Sequence, residues 1–352
     1  MRKLKQRINK QIENIYSILG DYIFKKALKN PNLIKYYYCF FDDLFSSEQS
    51  LTLYSKHAFY NDKNCSAISC LLNRNIHRLE KGLSNPNRKK TFAESYIEET
   101  INILEKMLIK NQDPMQLKWA IDILDEYFMI VEHSYIIKNA FKKYKSIHYK
   151  KVNLTEKFTP KKYSDIKKSS ISIEEFHKLC KQRYSVRWYK NEIVNVEKVK
   201  MAIQIALTSP SACNRQSFRF EYIDKPEYVN LCKSLPIGTD VFADNIKSIM
   251  FIIGDMSAFG NSRGRHLLYL DTGLAVMTLM HSLELLGISS CPLHWADIKE
   301  REDKLTKLLN LKPYEKCIIA LSIGYALEDG KVLHSQRRDI DTVWNYNNVY
   351  TA

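Results

Sequence analysis

Two short segments hold the side chains best suited to chemistry. Arg183-Tyr184-Ser185-Val186-Arg187-Trp188-Tyr189 offers two guanidiniums and a hydroxyl at alternating positions. In an extended chain Arg183, Ser185 and Arg187 point to one side, because side chains along a strand alternate with period two. Arginine forks pair bidentately with phosphate or carboxylate oxygens. Downstream, Ser209-Pro210-Ser211-Ala212-Cys213-Asn214-Arg215-Gln216 stops a helix at Pro210 and then presents small and amide side chains. Such a loop can hydrogen-bond the polar edge of a flat heterocycle. Taken singly, each segment also matches an Arg-rich surface loop or an ordinary Ser-Pro-Ser turn.

In this order and spacing the two segments resemble the nitroreductase family of FMN-dependent flavoproteins. That family opens with an Arg-x-Ser-x-Arg/Lys-aromatic arm, passes through a helix, and reaches a Pro-Ser-x-x-Asn-x-Gln loop. Here the arm is Arg183, Ser185, Arg187 and Trp188, and the loop is Pro210, Ser211, Asn214 and Gln216. Collinear similarity continues through Phe218-Arg219-Phe220, Asp271-Thr272-Gly273-Leu274-Ala275, Leu286 to Leu293, and Leu321-Ser322-Ile323-Gly324-Tyr325, covering about residues 170–345. The resemblance implies an α+β fold, a mainly antiparallel sheet flanked by helices, in a homodimer with FMN at the subunit interface. It implies cofactor contacts from Arg183, Tyr184, Ser185 and Arg187, and from Pro292 and Leu293. Pro210, Ser211, Asn214 and Gln216 would approach the flavin of the neighbouring subunit. Arg183 and Ser185 would hold its phosphate and ribityl side, and Arg187 the polar edge of its ring. A basic residue near the carboxyl end completes the phosphate site, with Arg337 the best match and Arg338 the alternative.

Two features depart from that pattern. After Cys291-Pro292-Leu293 many nitroreductases place an acidic residue and a glycine, whereas this chain has His294 and Trp295. These are the candidate catalytic residues: histidine is the side chain best suited to exchanging protons near neutral pH, and tryptophan can stack on a flat ring. Both are equally suited to packing in a dimer core. The second feature is His77-Arg78-Leu79-Glu80-Lys81-Gly82-Leu83-Ser84. It resembles a motif of long nitroreductase-like proteins with a helical amino-terminal extension. On a helix His77, Glu80 and Lys81 share a face, either as a cap on the flavin cleft or as an ion-paired helix ended by Gly82.

The elements that position these residues follow from periodicity. Leu117, Ile121, Leu124, Phe128, Val131 and Tyr135 recur at helical spacing behind an Asp113 cap and Pro114, and Ile97, Ile101, Leu104 and Leu108 do the same. Joined at Asn111-Gln112, they predict an antiparallel helical hairpin inside an α-helical domain of residues 1–150. Residues 151–170 read as a basic linker and 171–352 as the flavin-binding domain. Ser172-Ile173-Glu174-Glu175 predicts a capping box, Asn195 caps a helix at 196–208, and a long helix runs from about Arg265 to Leu286 before Gly287. Strands are expected at Phe218–Ile223, Ile246–Ile253, Ile288–Cys291 and Cys317–Ile323.

Charge narrows the partners. The net charge is +15, and residues 1–170 hold 31 Lys and Arg against 18 Asp and Glu, so the basicity belongs to the first half. Its densest run, Lys138 to Lys168, has little aromatic interleaving, so nucleic-acid binding is not expected. The eight cysteines include no Cys-x-x-Cys, nine histidines include no His-x-x-x-His, and no P-loop occurs, so no metal site is expected. Scattered cysteines in apolar runs suit free thiols, and neither a signal-peptide core nor a membrane span is legible, so a cytoplasmic protein is expected. The favoured reading is an FMN-dependent oxidoreductase that takes hydride from NAD(P)H and passes it to a small-molecule acceptor. The alternative is a non-catalytic flavin-fold scaffold acting through its basic helical domain.

Overall fold

The computed structural model describes residues 2–61, 65–110, 113–147, 156–260, 262–347 and 349. In the first half lie α1 (Arg2–Lys29), α2 (Ile34–Phe40), α3 (Ser46–Asn61), α4 (Cys65–Ser84), α5 (Ile97–Ile109), α6 (Pro114–Ile130) and α7 (Tyr135–Ser146). Among the described residues no helix is long and apolar enough to cross a membrane.

The apolar stripes find each other as their spacing requires. Leu72, Ile76 and Leu79 of α4 pack with Ile97, Ile101 and Leu104 of α5, Leu117, Leu124 and Phe128 of α6, and Ile137 and Tyr144 of α7. The expected hairpin is therefore half of a four-helix cluster, and its Asn111-Gln112 turn lies outside the described residues. Asp113 Oδ1 accepts from Met115 N at 2.9 Å, which starts α6 beside Pro114. Tyr135 does not extend the α6 stripe. The chain turns after Val131, Ser134 caps α7, and Tyr135 is 80% exposed.

Gly82 does not stop its helix, because α4 runs on to Ser84. The glycine is needed for space: a Cβ there would lie 2.2 Å from Phe92 Cε2. Gly82→Ala should cost about 1–3 kcal/mol through overpacking, despite alanine's better helix propensity, and chemical denaturation would measure it. A stabilised variant would show that the Phe92 ring moves aside freely.

The second half contains α8 (Ile173–Gln182), α9 (Val196–Ala206), α10 (Pro226–Cys232), α11 (Leu267–Leu285) and α12 (Lys299–Leu309). Between them run β1 (Phe218–Ile223), β2 (Ser248–Asp255), β3 (Ser289–Leu293) and β4 (Glu315–Gly324). They form one sheet in the order β1-β2-β4-β3, with every neighbouring pair antiparallel. The strand expected from Ile246 begins two residues later, because Ile246 closes the short turn Ala243–Asn245. One sheet face packs on α9 and α11 through Met250, Ile252, Leu279 and Leu283. The other packs on α10 and α12 through Phe251, Ile253, Val229 and Leu305.

Helix ends follow the sequence closely. Asn195 Oδ1 accepts from Glu197 N at 2.9 Å, and Ser172 Oγ accepts from Glu175 N at 3.2 Å. The reciprocal half of the Ser172 box is different: Glu174 bonds back to Ser172, while Glu175 pairs with Lys178. Gly287 takes φ +73°, with Ile288 N bonded to Leu283 O and Gly287 N to Glu284 O, which is a Schellman end. Pro292 sits in β3, an edge strand of this sheet, where its missing N–H is tolerated.

The two halves share a core. Leu51 and Cys70 pack with Met256, Ala258, Phe259 and Leu268. Ser66 of α4 donates to the buried Asp255 carboxylate at the end of β2, and Arg265 Nε reaches Glu48 at 2.8 Å. Between the halves, the described residues 156–170 are largely exposed, but Phe158 N donates to Asp122 Oδ2 at 2.8 Å.

Candidate functional site

The arm is held along the open edge of the sheet. Ser185 forms a parallel bridge with Ser290 of β3, Val186 N donates to Ser290 O at 3.2 Å, and Tyr189 bridges Ala326. Tyr189 anchors it from below: its buried hydroxyl meets Ser322 Oγ at 2.8 Å and donates to Val186 O at 2.6 Å. Arg183 and Arg187 part from one another: Arg183, at the end of α8, lies toward His281 and Glu284 of α11, whereas Arg187 lies over Phe242 on the other side of the sheet. All three act on Cys291: burial pushes its thiol up, while Arg187, a hydrogen bond from Ser185, and Arg183 oppose that shift. Arg187 lies 5.8 Å over the Phe242 ring and donates to Ser185 O at 3.2 Å.

Arg183, the C-cap of α8, faces α11. Its Nε is buried without a hydrogen-bond partner in this chain. Burial and then the Arg183 guanidinium hold the His281 ring below the ordinary imidazole range, and burial raises the Glu284 carboxyl against the pull of Gln182 and Arg183. A buried, unpaired guanidinium nitrogen is costly unless a ligand completes it.

The second segment is a strained loop over the other end of α11. Cys213, Asn214 and Gln216 have φ of 53°, 52° and 51°, a left-handed conformation unusual for side chains other than glycine. Such strain persists only where the surroundings impose it. Asp271 Oδ2 accepts from Ala212 N at 3.0 Å, Ser211 Oγ from Gln216 N at 3.1 Å, and Ser209 Oγ donates to Thr278 Oγ1 at 2.8 Å. Gln216 Nε2 donates to Asn214 Oδ1 at 2.9 Å. Asp271 thus ties the loop to α11, and a buried carboxylate near the start of an otherwise apolar helix was its signal. Within one chain the loop and arm stand apart: Asp271 and Glu284 are thirteen residues apart on α11, about 20 Å along its axis.

The helical extension meets this loop directly. Cys70 Sγ contacts Arg215 O at 3.4 Å, and Arg215 lies 5.1 Å over Phe259. A cleft of about 570 Å³ opens between α4, the start of α6, Phe158 and Asn214–Gln216. Trp119, on its wall, donates Nε1 to Glu80 Oε1 at 2.8 Å, and Glu80 Oε2 pairs with His77 Nδ1 at 3.2 Å. The His77 motif therefore positions a cleft-lining tryptophan instead of forming only an exposed ion pair.

The remaining candidates scatter. His294 is exposed at the end of β3, with its carbonyl accepting from Ile237 N at 2.8 Å. Trp295 packs edge-to-face on Phe251 at 5.8 Å, in the core under α12, and its Nε1 is buried without a partner. Leu293 is also a core side chain, so only its backbone faces outward, because alternate residues of β3 point to opposite faces. Tyr184 is exposed, and Pro292 pairs with Leu321 in the sheet. Arg337 and Arg338 are exposed on the carboxyl tail, donating to Ser335 O and Thr342 O of that tail and not to the arm. Among the described residues no cluster of His, Cys, Asp and Glu could hold a metal ion, and the described cysteines are free.

The sequence profile of the nitroreductase family matches residues 180–325. A curated protein of Streptococcus pyogenes serotype M6, carrying the provisional name NAD(P)H nitroreductase, is 27% identical over 89 residues. That match spans 25% of this chain and 44% of the relative's length. An FMN-dependent nitroreductase from Clostridium difficile is 23% identical, covering 49% of this chain and 98% of that one, with a TM-score of 0.41. A nitroreductase family protein from Streptococcus pneumoniae is 20% identical, covering 49% and 99%, also at 0.41. Residues 180–325 match the nitroreductase family, and the chain has that family's α+β fold preceded by a helical extension.

Proposed function

We propose that the protein is an FMN-dependent oxidoreductase that takes hydride from NAD(P)H and delivers it to a small-molecule acceptor. The observation that supports this best is the arm along the edge of β3, where Ser185 bridges Ser290 and Arg183 Nε is buried without a partner. These residues fit the flavin's needs: a fixed guanidinium for the phosphate, a hydroxyl beside it, and a second guanidinium for the polar ring edge. FMN, when bound, supplies reversible two-electron chemistry.

The protein's own residues bind, orient and exclude water. Arg183 and Ser185 hold the phosphate and ribityl end, and Arg187 orients the ring. The Pro210–Gln216 loop closes the site from a second copy of the chain. Two features support a two-chain site: the separation of loop and arm along α11, and exposed Phe176, Met201, Ile205 and Leu274 on α8, α9 and α11. Arg337 or Arg338 would reach the phosphate from the tail. His294, exposed at the end of β3, would pass a proton to the acceptor. Trp295 supports the strand end by packing.

Anaerobic addition of NADH or NADPH to the FMN-loaded protein should bleach the visible flavin band within the mixing time. A band that persists with both nucleotides would contradict hydride transfer.

A further inference from the structure

Helix α1 carries an apolar face that the described residues leave uncovered. Ile15, Ile18, Leu19 and Tyr22, spaced three and four apart, share one side of the helix and are between 45% and 70% exposed. Lys25, Lys26 and Lys29 continue that side through the last two turns, all of them exposed. The helix meets α2 through other residues. A Cβ on Gly20 would lie 3.5 Å from Phe41 Cδ1, Phe24 packs on Tyr37 at 5.6 Å, and Ala27 is buried. No side chain of α2 is buried, and its Ile34, Tyr36 and Phe40 are exposed as well. Apolar surface on this scale marks a contact with something else.

Charge decides what that is. Helix α1 holds eight Lys and Arg against two Asp and Glu. A second copy of the same helix would be repelled. Nucleic acid would satisfy the cations through its phosphates but leave the apolar stripe in water. An anionic lipid surface suits both, because its acyl boundary takes the stripe and its headgroup phosphates take the lysines. Lys26 Nζ lies 5.6 Å over the Tyr22 ring, and on α2 Lys35 Nζ lies 5.0 Å over Tyr36. Such pairs suit headgroup depth, where a tyrosine keeps its ring apolar and its hydroxyl wet, and a lysine stem lies on apolar surface with its ammonium hydrated.

We propose that α1 is a peripheral anchor that lies along an anionic bilayer surface. Ile15, Ile18, Leu19 and Tyr22 sink to the acyl boundary, and Lys25, Lys26 and Lys29 bind lipid phosphates. Flavin binding plays no part in it.

Co-sedimentation of the full-length protein with vesicles tests this at about 0.1 M salt, where surface charges still interact over roughly 10 Å. Vesicles of phosphatidylcholine alone are compared with vesicles containing about one-quarter phosphatidylglycerol. Binding should be at least about a hundredfold stronger on the anionic vesicles. Replacing all three lysines (Lys25→Gln, Lys26→Gln and Lys29→Gln) should lower it about a hundredfold, since each lysine near such a surface contributes roughly fivefold. Ile18→Asp should lower it at least about tenfold by putting a charge into the stripe. These side chains are solvent-exposed, so the fold should survive, and unchanged circular dichroism checks that. Equal binding to both vesicle types, binding to neither, or undiminished binding by Ile18→Asp overturns the proposal. A lipid-free wild type that forms a larger assembly than Ile18→Asp also overturns it, assigning the stripe to contact between copies.

Discussion

Arg183→Ala is expected to weaken FMN binding about ten- to a hundredfold, the worth of a hydrogen bond to a charged group. Riboflavin, which lacks the phosphate, should lose little. The selectivity follows from the geometry: Arg183 Nε is buried without a partner, and the guanidinium faces His281 and Glu284 at the end of α11, away from the strained loop. Arg183→Lys should recover only part of the loss, because an ammonium is a point charge that cannot bond bidentately. Titration of the two flavins by fluorescence quenching measures both. Equal losses for FMN and riboflavin would remove Arg183 from the phosphate site.

Asp122→Ala is expected to cost about 3–5 kcal/mol of folding stability, among the largest effects of any single substitution. Lys118 is 8% exposed, and its Nζ lies 2.5 Å from Asp122 Oδ2 and 5.1 Å over the Phe158 ring. Removing the carboxylate leaves a buried ammonium without its counter-ion. It also frees Phe158 N, which donates to the same oxygen and brings Phe158 to the cleft wall. Asp122→Asn keeps a hydrogen-bond acceptor there and should cost less. Denaturant midpoints at constant m-value would quantify both. A loss for Asp122→Ala under about 1 kcal/mol would mean that Lys118 escapes to water.

The sequence was most legible where local chemistry decides the outcome. Asp113, Asn195 and Gly287 terminate helices as their types require. It was less legible where distant contacts decide. Gly82 looked like a helix stop, but Phe92, ten residues on, determines its role. Trp295 looked like a ring-stacking residue, yet strand alternation at β3 turns it onto Phe251. His77 and Glu80 looked like a charged face, and only the fold brings Trp119 to Glu80. Asp271 was visible in the sequence, but its hold on Ala212 depends on a loop more than fifty residues earlier.

The central claim is a flavin site completed by two chains. The most direct measurement is light scattering with in-line visible absorbance on the full-length protein after incubation with FMN and removal of the excess. The expected result is a particle of two 41.4 kDa chains that carries the visible flavin band. A colourless protein, or a flavin-loaded single chain, would contradict it.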